Sequence, residues 1–109
     1  MLDEQEFKKL ADDSLNALSR VLIAASDDYG FEVDFNSGAL AIEFEDPPAK
    51  FVISPNTPVR QIWVSANSKS YKLDWDFVEN SFVHLESGDP LRKLVEKAVA
   101  KHLGEEVLF

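Results

Sequence analysis

The chain has 109 residues, the length of a single domain: too short for two hydrophobic cores and long enough to fold without covalent staples. Apolar residues make up 45% of it, including eight Phe, two Trp and two Tyr, enough buriable surface to offset the entropy of ordering and to argue against disorder. A net charge of -9 repels a phosphate backbone, and the absence of cysteine excludes disulfides, thiolate catalysis and thiolate-held zinc or clusters.

The pattern predicts a first helix from about Glu4 to Ala25. Asp3 and Glu6 form a capping box, with Leu2 placed to staple onto Phe7. Phe7, Leu10, Ala11, Leu15, Leu18, Leu22 and Ala25 recur at spacings of three and four, which makes one buried stripe.

From Phe31 the period falls to two. Phe31, Val33 and Phe35 alternate with Glu32, Asp34 and Asn36, the run Asn36-Ser37-Gly38 supplies a hairpin turn, and Leu40, Ile42 and Phe44 line one face of the return strand. Asp46-Pro47-Pro48 is expected to stop pairing. Further strands are predicted at Lys50–Ser54, Gln61–Ala66, Ser70–Asp76 and Phe82–Leu85, with turns near Pro55-Asn56, Asn67-Ser68 and Glu79-Asn80. A second helix follows, with Asp89 as cap, Pro90 at its first position and Gly104 just past its end. Leu91, Leu94, Val95, Ala98, Val99 and Leu103 form its apolar stripe, and Val107-Leu108-Phe109 is expected to tuck onto the core. The expected fold is a two-layer αβ-sandwich of the α+β class. One domain spans 1–109, an antiparallel sheet of five or six strands carrying both helices on one face.

No apolar run approaches the roughly 20 residues that cross a bilayer; the longest, Val21–Ala25, has five. The acidic amino terminus does not read as a leader. A soluble, cytoplasmic protein without a membrane partner is expected, or a mitochondrial-matrix one if a presequence has been removed.

The charge is uneven. Residues 1–46 hold twelve acids and three bases, whereas 47–88 and 89–109 each hold four of both. Because consecutive elements tend to be neighbours, Asp3, Glu4, Glu6, Asp12, Asp13, Asp27, Asp28, Glu32, Asp34, Glu43 and Glu45 are expected along one edge. Carboxylates alone suit hard cations, held weakly; the same residues equally suit a solubilising face. If Ile62 and Val64 point inward, Gln61 and Trp63 face outward beside Ser65, Lys72 and Asp74. An outward Trp is a candidate anchor for another protein; the alternatives are a Trp half covered by a long neighbour, or a reversed register with Trp63 in the core. His84 and His102 form no spaced ligand pair, and His102 is placed to meet the carbonyl end of its helix. Adjacent acids such as Asp12-Asp13 have no reason for separated pKa values, and neither a phosphate-binding glycine loop nor a Ser-His-Asp order is present, so an enzyme is not expected.

In its order of elements and in its residues, the chain resembles the frataxin family, and within it the bacterial CyaY branch, over nearly its whole length. The resemblance rests on Glu6-Phe7 and Leu10-Ala11, on Ser37-Gly38-Ala39-Leu40, and above all on the run from Ile53 to Val64. That run contains Pro58-Val59-Arg60-Gln61-Ile62-Trp63, and Tyr71 and Asp74-Trp75 follow it. It implies a protein of iron–sulfur cluster biogenesis that binds iron, ferrous or ferric, through an acidic ridge. It also implies docking on the cysteine desulfurase and scaffold complex and modulation of sulfur production. Carried over residue by residue, the metal-binding positions are Asp12, Asp13, Asp27, Asp28, Glu32 and Asp34, with Asp3, Glu4 and Glu6 as a second group. The partner-binding positions are Gln61, Trp63, Asn56, Arg60, Ser54 and Asp74.

The chain departs from the family pattern at Ser19, Arg20, Ile23, Ala24 and Ala25, which thin the ridge, and at Ser54 and Lys69-Ser70. A monomer is expected, with iron-dependent oligomers as the alternative state. The competing functional readings are a ferroxidase or iron-storage protein, and a plain acidic interaction module without physiological metal binding.

Overall fold

A computed structural model describes residues 2–109. Helix α1, Glu4–Tyr29, starts where Asp3 caps it, the carboxylate accepting from the Glu6 N–H at 2.8 Å. It stops at Gly30, whose φ of 71° only a residue without a Cβ adopts freely, and whose N–H donates to Ser26 O. The helix runs one turn beyond the predicted Ala25 because Ser26, Asp27 and Asp28 tolerate solvent and Tyr29, four residues after Ala25, still packs on the core. Leu2 and Phe7 are both buried, as a staple requires.

Seven strands follow in a plain meander, β1 (Phe31–Asn36), β2 (Ala39–Glu45), β3 (Pro48–Asn56), β4 (Gln61–Ala66), β5 (Lys69–Asp76), β6 (Ser81–His84) and β7 (Asp89–Pro90), each antiparallel to the last. Helix α2 spans Leu91–Leu103 and ends at Gly104 in the left-handed region. The α+β architecture with two helices on an antiparallel sheet is the expected one, with a seventh strand too short to leave a period in the sequence. Period two divides the sheet cleanly. Leu40, Ile42, Phe51, Ile53, Ile62, Val64 and Leu73 are buried facing the helices, and Phe7 of α1 meets Phe82 of β6 edge-on at 5.8 Å.

Several local expectations are corrected. Pro48 does not end pairing: it lies opposite Glu45, so the turn is only Asp46-Pro47, and a proline at the first position of a strand has no ladder hydrogen bond to lose. Pro55 and Asn56 belong to β3, opposite Ile62 and Gln61; the chain reverses in a 3₁₀ turn, Thr57–Val59, with Arg60 left-handed. Asp89 does not cap α2. Pro90 holds that position, while Asp89 pairs with His84 in the sheet and takes Lys97 Nζ at 2.9 Å. His102 reaches Pro47 O at 2.8 Å instead of its own helix end, its ring 4.4 Å from that of Phe44. Of the tail, Val107 is buried, Phe109 is partly so and Leu108 is exposed. No helix among the described residues is long and apolar enough to cross a membrane.

Candidate functional site

The outward face of the sheet is built by register. Ser54, Trp63 and Lys72 stand side by side across β3, β4 and β5, and Asn56, Gln61 and Asp74 form the next row. Ile62 and Val64 point inward, so the indole of Trp63 stands outward at 37% exposure, with Ser65 beside it on β4 and Ser54 and Val52 on the adjoining strand β3. Its Nε1–H donates to Gln61 Oε1 at 2.9 Å, and the Gln61 amide donates in turn to Asp74 Oδ1 at 3.2 Å. The Lys72 ammonium lies 5.0 Å from the ring centroid. This cation–π contact is worth roughly 0.5–1 kcal/mol at an exposed site, and it places a long neighbour over an outward Trp, so two of the arrangements the sequence left open are present together. The side chains thus lock the indole in one orientation at little cost to be repaid on binding.

Five of the six residues assigned to partner contact, Ser54, Asn56, Gln61, Trp63 and Asp74, fall in these two rows. Arg60 adjoins them but its guanidinium is turned to the backbone, donating to Leu2 O at 3.2 Å and to Thr57 O, so it fixes the chain entering α1 against the turn before β4. Lys72 belongs to the constellation although the sequence pattern marks it only as a neighbour; its place opposite Trp63 is a matter of register between β4 and β5.

The acids are arranged differently. Asp12, Asp13, Asp27, Asp28, Glu32 and Asp34 are all exposed on α1 and β1. Asp13 and Asp27 are separated along the helix by about 21 Å. Asp12 borders the cavity beneath the Ser37-Gly38 turn, whereas Asp28 borders the one beside Leu108 and Phe109, on the opposite flank of α1. Asp13 pairs with Lys9 at 3.1 Å and Glu4 with Lys8 at 3.9 Å, exposed ion pairs of small consequence. Glu32 lies directly opposite Glu43, which Lys50 approaches at 3.7 Å. Asp3 is committed to its cap, and the Glu6 N–H holds its carboxyl below the usual range. Asp12, Asp27, Asp28, Glu32 and Asp34 have no basic partner among the described residues. Among the described residues, no three carboxylates or imidazoles converge as a metal cage. The donor set fits a hard cation held by one or two oxygens and otherwise by water. His84 is engaged with Ser87 Oγ at 2.8 Å, and its ring abuts Tyr71.

Comparison with known proteins matches residues 1–105 to the family model described as a Frataxin-like domain. The iron-sulfur cluster assembly protein CyaY of Pseudomonas aeruginosa is 31% identical over 110 residues, spanning 99% of this chain and 97% of its own. That of Azotobacter vinelandii is 28% identical, spanning 99% and 96%. The mitochondrial frataxin of Arabidopsis thaliana is 30% identical across 98% of this chain and 59% of its own length. A solved frataxin from Psychromonas ingrahamii shares the fold, with a TM-score of 0.75 over 97% of this chain and 96% of that one, at 24% sequence identity.

Proposed function

The chain belongs to the frataxin-like family, and on that premise we propose that it is a non-catalytic accessory of iron–sulfur cluster assembly, docking on the cysteine desulfurase and its scaffold through the outward sheet face around Trp63. The bacterial relatives carry cluster assembly in their names. These 109 residues contain no thiol, so they can accept neither a persulfide nor a cluster on sulfur. What they offer is a flat face and an electric field.

The observation that carries this reading is the outward indole of Trp63, braced by Gln61 and Lys72 on the polar face of the sheet. Trp is prominent among residues that anchor protein interfaces, and a preorganised one loses little freedom on docking. The acids spread over α1 and β1 give this part of the molecule a negative field that attracts a basic surface of the desulfurase, which raises the association rate and makes it fall with ionic strength. Ferrous or ferric iron is held there as cargo, weakly, by exposed carboxylates including Asp12, Asp13, Asp27, Asp28, Glu32 and Asp34.

The test compares Trp63→Ala and the charge-reversed pair Asp12→Lys, Asp13→Lys with the wild type in desulfurase pull-down and sulfide production at varied iron. Weakened docking in both variants is expected. Unchanged binding in both removes the basis of the reading.

A further inference from the structure

The turn between β5 and β6 presents Phe77 and Val78 to solvent at 68% and 92% exposure. Val59, 48% exposed at the end of the 3₁₀ turn, shares a cavity of about 200 Å³ with Phe77, Trp75 and Leu2. Apolar side chains clustered at one exposed end of the sheet and rimmed by polar ones mark an interaction site, as isolated ones do not. The turn is stiff: Asp76 Oδ1 accepts from the Val78 N–H at 2.8 Å and the Glu79 N–H at 3.0 Å. The Phe77 ring sits 6.5 Å edge-on from Trp75, itself 5.1 Å from the buried Phe82. Asp74 borders the same cavity and bonds Gln61, which bonds Trp63, so the tip and the Trp63 face are one continuous surface.

We infer that the docking surface continues around the end of the sheet onto Phe77 and Val78, which enter an apolar pocket rimmed by basic side chains on the partner protein. The inference rests on the proposed docking face. Charge selects the occupant: Asp76 and Glu79 flank the exposed pair and Asp74 borders the cavity beside it, whereas the base lining that cavity, Arg60, is turned to the backbone, so the acids are left to meet Lys or Arg of a partner. A second copy of this chain and an anionic bilayer are disfavoured, since each would face a molecule of net charge -9.

The experiment measures the affinity of the purified desulfurase–scaffold complex for the wild type, for Phe77→Ser with Val78→Ser, for Val78→Lys and for Trp63→Ala, each confirmed folded by its amide spectrum. Val78→Lys alters a site too exposed to disturb the core. Affinity about tenfold or more weaker in both tip variants and in Trp63→Ala is expected. Tip variants that bind like the wild type while Trp63→Ala weakens would overturn the extension and leave the docking face standing. Weakening by the tip variants alone would overturn the Trp63 face and with it the inferred continuous surface; a wild type that does not bind overturns both readings. The extension is likewise overturned if the tip variants leave that affinity unchanged but abolish dimers in sedimentation or binding to anionic phosphatidylserine vesicles.

Discussion

The carboxylate of Glu96 accepts a hydrogen bond from the backbone N–H of Phe109 at 2.9 Å, so a buried acid on α2 holds the returning end of the chain. Its other oxygen meets Lys93 at 3.4 Å, the Leu108 N–H donates to the Tyr29 hydroxyl of α1, and Val107 is buried between. The tail therefore ties both helices together. Glu96→Ala is expected to cost about 1–3 kcal/mol, the loss of a hydrogen bond to a charged group. Glu96→Gln, which keeps an acceptor for Phe109, is expected to cost less. Urea unfolding of the two variants checks this; equal stability of Glu96→Ala and the wild type would show that the tail contributes nothing.

Trp63→Ala separates folding from docking. The ring stands on the outward face but is only 37% exposed, so truncation removes packed apolar surface as well as one hydrogen bond and a screened cation–π contact. Stability is expected to fall by about 1–2 kcal/mol, short of the cost of emptying a core site. Desulfurase affinity is expected to fall by about 2 kcal/mol or more, the range of an interface anchor. Paired calorimetric unfolding and binding measurements decide: a large stability loss would mean that Trp63 supports the sheet.

Asp3 gives stability a defined pH dependence. Its carboxyl is held below the reference value of 3.8, chiefly by the Glu6 N–H. Its ionised form favours the folded state, so this contribution is present above the unfolded pKa near 3.8 and is lost as pH falls through the lower folded value. Asp3→Ala is expected to lower the melting temperature at neutral pH, and the gap from wild type should close in acid below the folded pKa. A gap independent of pH would exclude the cap charge as its cause.

Long periodic segments were legible in the sequence, and short irregular ones were not. The stripes from Phe7 to Ala25 and from Leu91 to Leu103 face the core as the spacing requires, with Leu10 and Leu103 only partly buried, and alternation at Gln61–Ala66 correctly turns Trp63 outward. Two-residue β7 leaves no period to detect, and Asp89 and Pro90 have the chemistry of a helix start that the sheet claims instead. Cross-strand partners such as Lys72 over Trp63 depend on register, which one strand alone does not specify. The acidic excess was countable, but its convergence was not. A composition of twelve acids in 46 residues does not reveal that α1 spreads Asp12 and Asp28 onto opposite flanks.

That spreading fixes how iron is expected to bind. Asp12-Asp13 and Asp27-Asp28 lie too far apart along α1 to share one ion, about 21 Å from Asp13 to Asp27. Neither group supplies three converging ligands, and the last turn of α1 carries no basic residue to offset Asp27 and Asp28 beside its carbonyl end. Two separate weak zones follow, each a local concentration of negative potential in which water completes the coordination. Titration with ferrous iron is expected to broaden amide signals near residues 12–13 and near 27–28 independently. Asp12→Asn with Asp13→Asn is expected to abolish the first response and spare the second, and added salt is expected to weaken both. A single saturable transition that moves both regions together, and that the double variant eliminates entirely, would require a closed iron site that this arrangement of carboxylates does not form.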